Sequence, residues 1–211
     1  ISVGPEDSYV TPRLARPGDT IIITKGPAIE TTGLFVAALP GMIERRMGAD
    51  FLARAEDVFW MMSVVDDAQI AVAQGVREDG VTCMHDATEC GVYGALWEIA
   101  DAAGLGLVVD RDEIVTVPEC IELCAELGLD PFAVISEGTL VLTCRPHAAD
   151  GIVAALAADG IPASVCGEMR ERSEGINIIE GGAQRPLVHT HVDPFWAAFG
   201  KAIADAASEE Q

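Results

Sequence analysis

The stretch Thr82-Cys83-Met84-His85-Asp86-Ala87-Thr88-Glu89-Cys90-Gly91 decides the fold, together with what flanks it. Thr82–Asp86 reads as a strand. From Gly91, the residues Val92, Ala95, Leu96, Ile99 and Ala103 fall on one helical face, and Gly104 ends that helix. Leu105–Val109 then reads as another strand. A strand, a short polar turn, an amphipathic helix and a second strand form the unit of an α/β or α+β protein.

The same alternation runs outward. Thr20–Thr24 (TIIIT) is a short β-branched run, read as a buried strand, and Lys25-Gly26-Pro27 breaks it ahead of a helix over Glu30–Leu39. From Ala49, the residues Phe51, Leu52, Ala55, Val58, Phe59 and Met62 mark a helical face. Ser63 with Asp66 resembles a capping box opening a helix that runs to Gly75, and Thr116 with Glu119 resembles another, with Pro118 in its first turn and Gly128 as its stop. Thr139–Cys144, Ala148–Ala158 and Ala163–Cys166 read as strand, helix and strand, and Ile176–Ile179 as a last strand. Gly181-Gly182 and Pro186 are expected to open a loop before a helix over Pro194–Ala207. The class that follows is a layered mixed sheet covered by helices.

With 211 residues, half of them hydrophobic, the chain can bury a core of ordinary size. No apolar run nears the roughly 18 residues of a membrane span. The balance of 34 acidic against 13 basic residues gives a net charge of −21, which repels phosphate backbones and anionic lipid. Nucleic acid and membrane are therefore poor partners, and the acidity reads as a solubilising surface. Six cysteines at 83, 90, 120, 124, 144 and 166 lack a disulfide or zinc-knuckle spacing. Cys120 and Cys124, at i and i+4 on a helix, stand too far apart for an unstrained bridge. Reduced, buried thiols in a cytoplasmic protein are expected.

Two segments hold chemistry-bearing residues. In the first, Lys25 and Gly26 follow a strand and precede a helix, where exposed N–H groups and a lysine charge suit an anion. The segment is not a Walker A loop, and by pattern alone it is a connecting turn. In the second, Met84–Gly91, a histidine, two carboxylates and a hydroxyl crowd the carboxyl end of a strand, where α/β sheets bind ligands. Asp86 and Glu89 suit Mg²⁺, and His85 suits proton transfer or carbonyl polarisation. The plainer alternative is that Thr88 or Glu89 caps the helix and His85 is a satisfied core residue. Zinc at Cys83, His85 and Cys90 lacks a fourth ligand. His189, His191 and Asp193 form a weak metal trio, and Cys90 is an unsupported nucleophile. Glu137, in the tight turn Ser136-Glu137-Gly138, is a minor site candidate.

In this order and separation, these segments resemble the carboxyl-terminal domain of the aminoimidazole ribonucleotide (AIR) synthetase superfamily. Its members include AIR synthetase, formylglycinamidine synthetase, selenophosphate synthetase, thiamine-monophosphate kinase and the hydrogenase maturation protein HypE. The resemblance runs from Arg16-Pro17-Gly18-Asp19 to about Gly167-Glu168 and is strongest to the HypE-like branch. Met84–Gly91 looks like that branch's HD-x-T-x-G-G turn. Pro17-Gly18-Asp19 with Lys25-Gly26, Ser63-Val64-Val65, Leu127-Gly128-Leu129-Asp130-Pro131 and Ser136-Glu137-Gly138-Thr139-Leu140 match in order.

The resemblance implies a PurM-like fold with partial ferredoxin-like topology, and ATP-dependent phosphoryl transfer to an oxygen of a small substrate. It implies ATP and Mg²⁺ as cofactors, held largely by an amino-terminal domain that also makes the family's dimer. Residues 1–18 are then expected to be the junction between domains, 19–180 the domain itself, and 181–211 a loop and helix packed on it. His85, Asp86, Thr88 and Glu89 are the implied catalytic residues, with Asp86 and Glu89 on the metal. Lys25, Gly26, Gly91 and Glu137 are implied at the nucleotide. The isolated domain is expected to be inactive. Two departures stand out: Cys90 replaces the first glycine of the pair, and the chain ends Ser208-Glu209-Glu210-Gln211 without the carboxyl-terminal cysteine of HypE's nitrile chemistry.

Overall fold

The structure is a computed structural model that describes residues 8–209. Its elements are β1 (Thr20–Thr24), α1 (Ile29–Ala38), α2 (Pro40–Met47), α3 (Ala49–Ala55), α4 (Val65–Ala73), β2 (Val81–Asp86), α5 (Gly91–Ala103) and β3 (Gly106–Asp110). They continue as α6 (Pro118–Leu127), β4 (Leu140–Cys144), α7 (Ala149–Ala158), β5 (Ala163–Arg170), β6 (Ile176–Glu180), β7 (Ala183–Pro186) and α8 (Pro194–Glu209). The mixed α/β class is as the sequence indicates.

One sheet runs in the order β2-β4-β1-β5-β3-β6-β7. All neighbours are antiparallel except β3 and β6. Because β4 and β5 both lie antiparallel to β1, they are parallel to each other, and α7 joins them across β1. This split βαβ unit is the ferredoxin-like part of the topology. The isoleucine run of β1 is explained by its central place. Ile21 and Ile23 face α5, while Ile22 packs with Leu142, Ile152 and Leu156 toward α7. A strand covered on both faces has no reason to alternate.

A third cluster lies in a helical layer: Phe35 of α1, Ile43 of α2, Phe51 of α3, Leu123 of α6 and Phe195 of α8. Phe35 meets Phe195 and Phe199 edge-on at 5.8 and 5.1 Å, so α8 packs directly on α1. All six cysteines are free and buried. No helix among the described residues is long and apolar enough to cross a membrane.

Several local expectations are corrected. The helix read through Met62 ends at Ala55 and tightens into a 3₁₀ segment, Glu56–Met61. That segment runs against α1 so closely that a Cβ on Gly33 would stand 3.0 Å from the Cα of Phe59. Neither capping box forms. Helix α4 starts at Val65, and Ser63 only accepts the Val65 N–H, at 3.3 Å. Helix α6 starts at Pro118 after Val117, and Glu119 pairs with Arg54 instead. Gly181-Gly182 is a hairpin turn rather than a loop. Both glycines have positive φ and Glu180 pairs with Ala183, the geometry of a two-residue primed turn. Of the expected junction, residues 1–7 lie outside the described part, and Pro12–Leu14 makes one 3₁₀ turn.

Candidate functional site

Three turns meet at one end of the sheet. The β1–α1 turn places Lys25, Gly26 and Ala28 in the left-handed region, with φ of 59°, 89° and 62°. At Gly26 only glycine fits, because a Cβ would stand 2.1 Å from the Val115 carbonyl oxygen. Thr139 Oγ1 donates to the Gly26 carbonyl at 2.5 Å. Lys25 is buried, and its Nζ donates to Ser63 O at 2.7 Å and to Asp67 Oδ2 at 3.0 Å. Asp67 is itself buried, and its Oδ1 accepts the Thr24 hydroxyl at 2.5 Å. Two of the lysine's three N–H donors therefore act inside the protein, anchoring the turn to the start of α4.

The β2–α5 turn is stitched to the turn before β4. Asp86 Oδ1 accepts the Gly138 N–H at 3.0 Å, Ala87 N donates to Thr139 O at 2.9 Å, and Ser136 N donates to Thr88 O at 3.3 Å. Glu30, in the first turn of α1, accepts the Glu137 N–H at 3.1 Å. Glu30 thus feels three other carboxylates, Glu137, Glu89 and Asp86. Burial pushes the Glu30 carboxyl up, against the pull of the Glu137 N–H, and the charges of Glu137, Glu89 and Asp86 push it further. Burial likewise raises Asp86; the Gly138 N–H opposes this, Glu137 adds to it, and Lys25 and His85 partly offset it. Among the described residues, Oδ1 is the only side-chain oxygen of Asp86 given a hydrogen-bond donor.

His85 does not join this set. Side chains alternate along a strand, so His85 leaves β2 on the α5 side while Asp86 turns to the Gly138 turn. The His85 Nε2 lies 2.6 Å from Glu98 Oε2 on α5. Thr88 is exposed, its hydroxyl donating to Asp86 O at 3.2 Å. Gly91 is pinned: its φ is +55°, and a Cβ there would stand 2.2 Å from Val134 O.

Cys90 keeps a left-handed backbone, φ 60°, although it has a side chain. That conformation costs a non-glycine residue roughly 1–2 kcal/mol. Its N–H donates to Asp193 Oδ2 at 2.6 Å, and the Thr190 hydroxyl donates to its sulfur at 3.5 Å. The trio of His189, His191 and Asp193 is consequently split. The two rings lie 4.5 Å apart beside Trp97, while Asp193 turns inward to Cys90. No group of three histidine, cysteine, aspartate or glutamate side chains among the described residues is placed to hold a metal by itself. Burial pushes the Cys83 thiol up to about 12.

The family described as "AIR synthase related protein, C-terminal domain" matches residues 16–179, which contain all three turns. The chain belongs to this family. A "Carbamoyl dehydratase HypE" from Rhizobium leguminosarum bv. viciae is 30% identical over 161 residues, covering 74% of this chain and 41% of that protein. The Escherichia coli K12 protein of the same name is 33% identical over 153 residues, covering 70% of this chain and 45% of its own. The crystal structure of E. coli HypE superposes with a TM-score of 0.70 at 22% identity, covering 90% of this chain and 55% of that one. A HypE structure in complex with ATP gives 0.63 at 18%, covering 88% and 55%. A HypE–HypF complex gives 0.63 at 16%, covering 86% and 56%. The chain therefore spans about half the length of the relatives it matches, and its PurM-related fold is that of HypE.

Sequence reasoning missed Glu30 and Asp67, and it offered Asp193 only as a metal ligand and not as the partner of Cys90. Glu30 carried one usable signal, an acidic first-turn residue beside the Lys25-Gly26 turn. Asp67 and Asp193 carried none, since their partners lie 42 and 103 positions away.

Proposed function

We propose that this chain supplies the phosphate-facing turns of an ATP-dependent AIR-synthetase-related protein, one that transfers the γ-phosphoryl group of ATP to an oxygen of a small substrate. The observation that supports this reading is Asp86. It sits at the carboxyl end of β2 with Oδ1 held by Gly138 and Oδ2 open, in the field of Glu137 and of Glu30, which in turn feels Glu89. This all-oxygen set fits Mg²⁺, which takes one or two carboxylates and completes its shell with phosphate oxygens and water. Asp86 and Glu89 would hold the ion, which when bound neutralises charge on the phosphates. The Lys25-Gly26 turn and Gly91 bring backbone close to the nucleotide, Glu137 lies beside the ion, and Thr88 orients the substrate. His85 lies on the other side of the strand, against Glu98 of α5.

Because the matched relatives are about twice as long, the activity belongs to this chain joined to a counterpart of their remaining half, and the joined protein is a cytoplasmic homodimer. Calorimetric titration of Mg²⁺–ATP into this chain, and into the chain so joined, tests the reading. Binding by the joined protein alone is expected. Binding by neither overturns it, and tight binding by the short chain alone misplaces the nucleotide. Non-catalytic assembly is the second reading, favoured by Trp60 and Val65, which stand 81% and 57% exposed on either side of Ser63. Asp86→Ala would then leave partner binding intact.

A further inference from the structure

Residues 187–209 lie beyond the family-matched segment, yet they reach the site at one point. Asp193 is 5% exposed, and its carboxylate gathers two backbone N–H groups. It accepts from Cys90 at 2.6 Å through Oδ2 and from Phe195 at 2.8 Å through Oδ1. These donors belong to two different pieces, the β2–α5 turn and the start of α8, and the nearby Ile135 N–H also favours the carboxylate's charge. Leading into Asp193, Thr190 covers the Cys90 sulfur, and His189 packs on Trp97 of α5 with ring centroids 5.0 Å apart.

A non-glycine residue stays in the left-handed region only where its surroundings over-determine it. At Cys90 the fixing contacts from outside the turn come from Asp193 and Thr190. From within, Gly91 N bonds Thr88 O at 3.0 Å and Gly94 N bonds Cys90 O at 2.9 Å. We propose that Asp193 is a positioning residue of the site: it clamps Cys90 in the left-handed turn that presents Thr88 and Glu89, and ties that turn to the start of α8. A glycine at position 90 would adopt the turn without help, so the clamp and the cysteine form a matched pair. The catalytic part of this proposal rests on the ATP-dependent reading above; the clamp does not.

The test uses this chain for the clamp and the joined protein for turnover. Mass spectrometry follows iodoacetamide labelling of Cys90 under native conditions in the parent, Asp193→Ala and Asp193→Asn. Loss of the clamp should speed Cys90 labelling about tenfold in Asp193→Ala, while the other five buried thiols keep their rates. Asp193→Asn, which keeps one acceptor oxygen, should fall between and remains informative if the alanine variant does not fold. In a thermal-melting cycle, Asp193→Ala should cost clearly less in a Cys90→Gly background than in the parent. Unchanged Cys90 labelling in both variants, or strict additivity in the cycle, overturns the clamp. In the joined protein, Asp193→Ala should lower kcat for ATP turnover about tenfold, with partial rescue by Cys90→Gly. An unchanged kcat beside faster labelling overturns the positioning role. No turnover in any variant beside faster labelling defeats the ATP-dependent reading and leaves the clamp standing.

Discussion

Lys25 and Asp67, 42 positions apart, form a buried ion pair with Nζ 3.0 Å from Oδ2. The second carboxylate oxygen is taken by Thr24 and the ammonium also holds Ser63 O, so both charges are hydrogen-bonded as well as paired. Removing one partner leaves the other uncompensated in the interior. Asp67→Ala is therefore expected to cost about 3–5 kcal/mol. Lys25→Met with Asp67→Leu should recover much of that loss, since well-packed apolar replacements of a buried pair are often neutral. Urea denaturation of the parent and the two variants checks this; a double variant no more stable than Asp67→Ala would show that the pair does more than balance charge.

Asp86 and Glu30 titrate above the ordinary carboxylate range, chiefly through burial. A carboxyl whose folded pKa is raised binds its proton more tightly in the folded state. The stability it contributes is complete below its unfolded pKa of about 4 and is lost as pH rises through the folded value. At neutral pH both groups oppose folding. Asp86→Asn removes the charge and keeps an acceptor for the Gly138 N–H. It should raise Tm at pH 7 by about 2–4 °C, a gain that shrinks toward pH 4. A scanning-calorimetry series over that range that shows a lower Tm at pH 7 would refute the assignment.

Gly91 and Gly181 both have positive φ, at 55° and 57°, but their surroundings differ. A Cβ on Gly91 would collide with Val134 O at 2.2 Å, while a Cβ on Gly181 meets nothing within 4 Å. Gly91→Ala should cost about 3 kcal/mol or more, through backbone strain plus forced displacement. Gly181→Ala should cost only about 1–2 kcal/mol, for the left-handed backbone alone. Equal losses in thermal melts would mean that the Val134 contact relaxes freely.

His85 and Asp86 are adjacent in sequence and point to opposite sides of β2. In the joined protein, Asp86→Ala should weaken Mg²⁺–ATP binding by about tenfold or more through loss of a metal ligand. His85→Ala should leave it within about twofold, because its partner is the half-exposed Glu98, a pair worth little at the surface. Comparable losses in both titrations would place the histidine at the nucleotide after all.

The local sequence carried most of the elements because neighbouring residues alone set them. Gly104 and Gly128 stop α5 and α6 through their own left-handed backbones, with φ of 70° and 69°. Pro118 fixes the first turn of α6 in the same local way. The isoleucines of β1 announced a buried strand. Where a tertiary contact competed, local rules failed. Ser63 lost its cap role where Lys25 holds its carbonyl, and Glu119 was drawn to Arg54. Strand β7 was missed because Ala183-Gln184-Arg185-Pro186 is exposed and has no apolar alternation; its pairing comes from the Gly-Gly turn.

The sequence by itself therefore determined the α/β class, the family, and the two short stretches where polar residues crowd the ends of strands, since each is written in contiguous residues. Only the tertiary structure decided which of those residues share a site. Strand alternation parted His85 from Asp86, and the sheet order brought Ser136-Glu137-Gly138 against both turns. The carboxylates of Asp67 and Asp193 arrive from distant parts of the chain, and such contacts leave no mark on local pattern. Burial and electrostatics act through space, so the protonation of Glu30 and Asp86 is a property of the assembled turns and of no single segment.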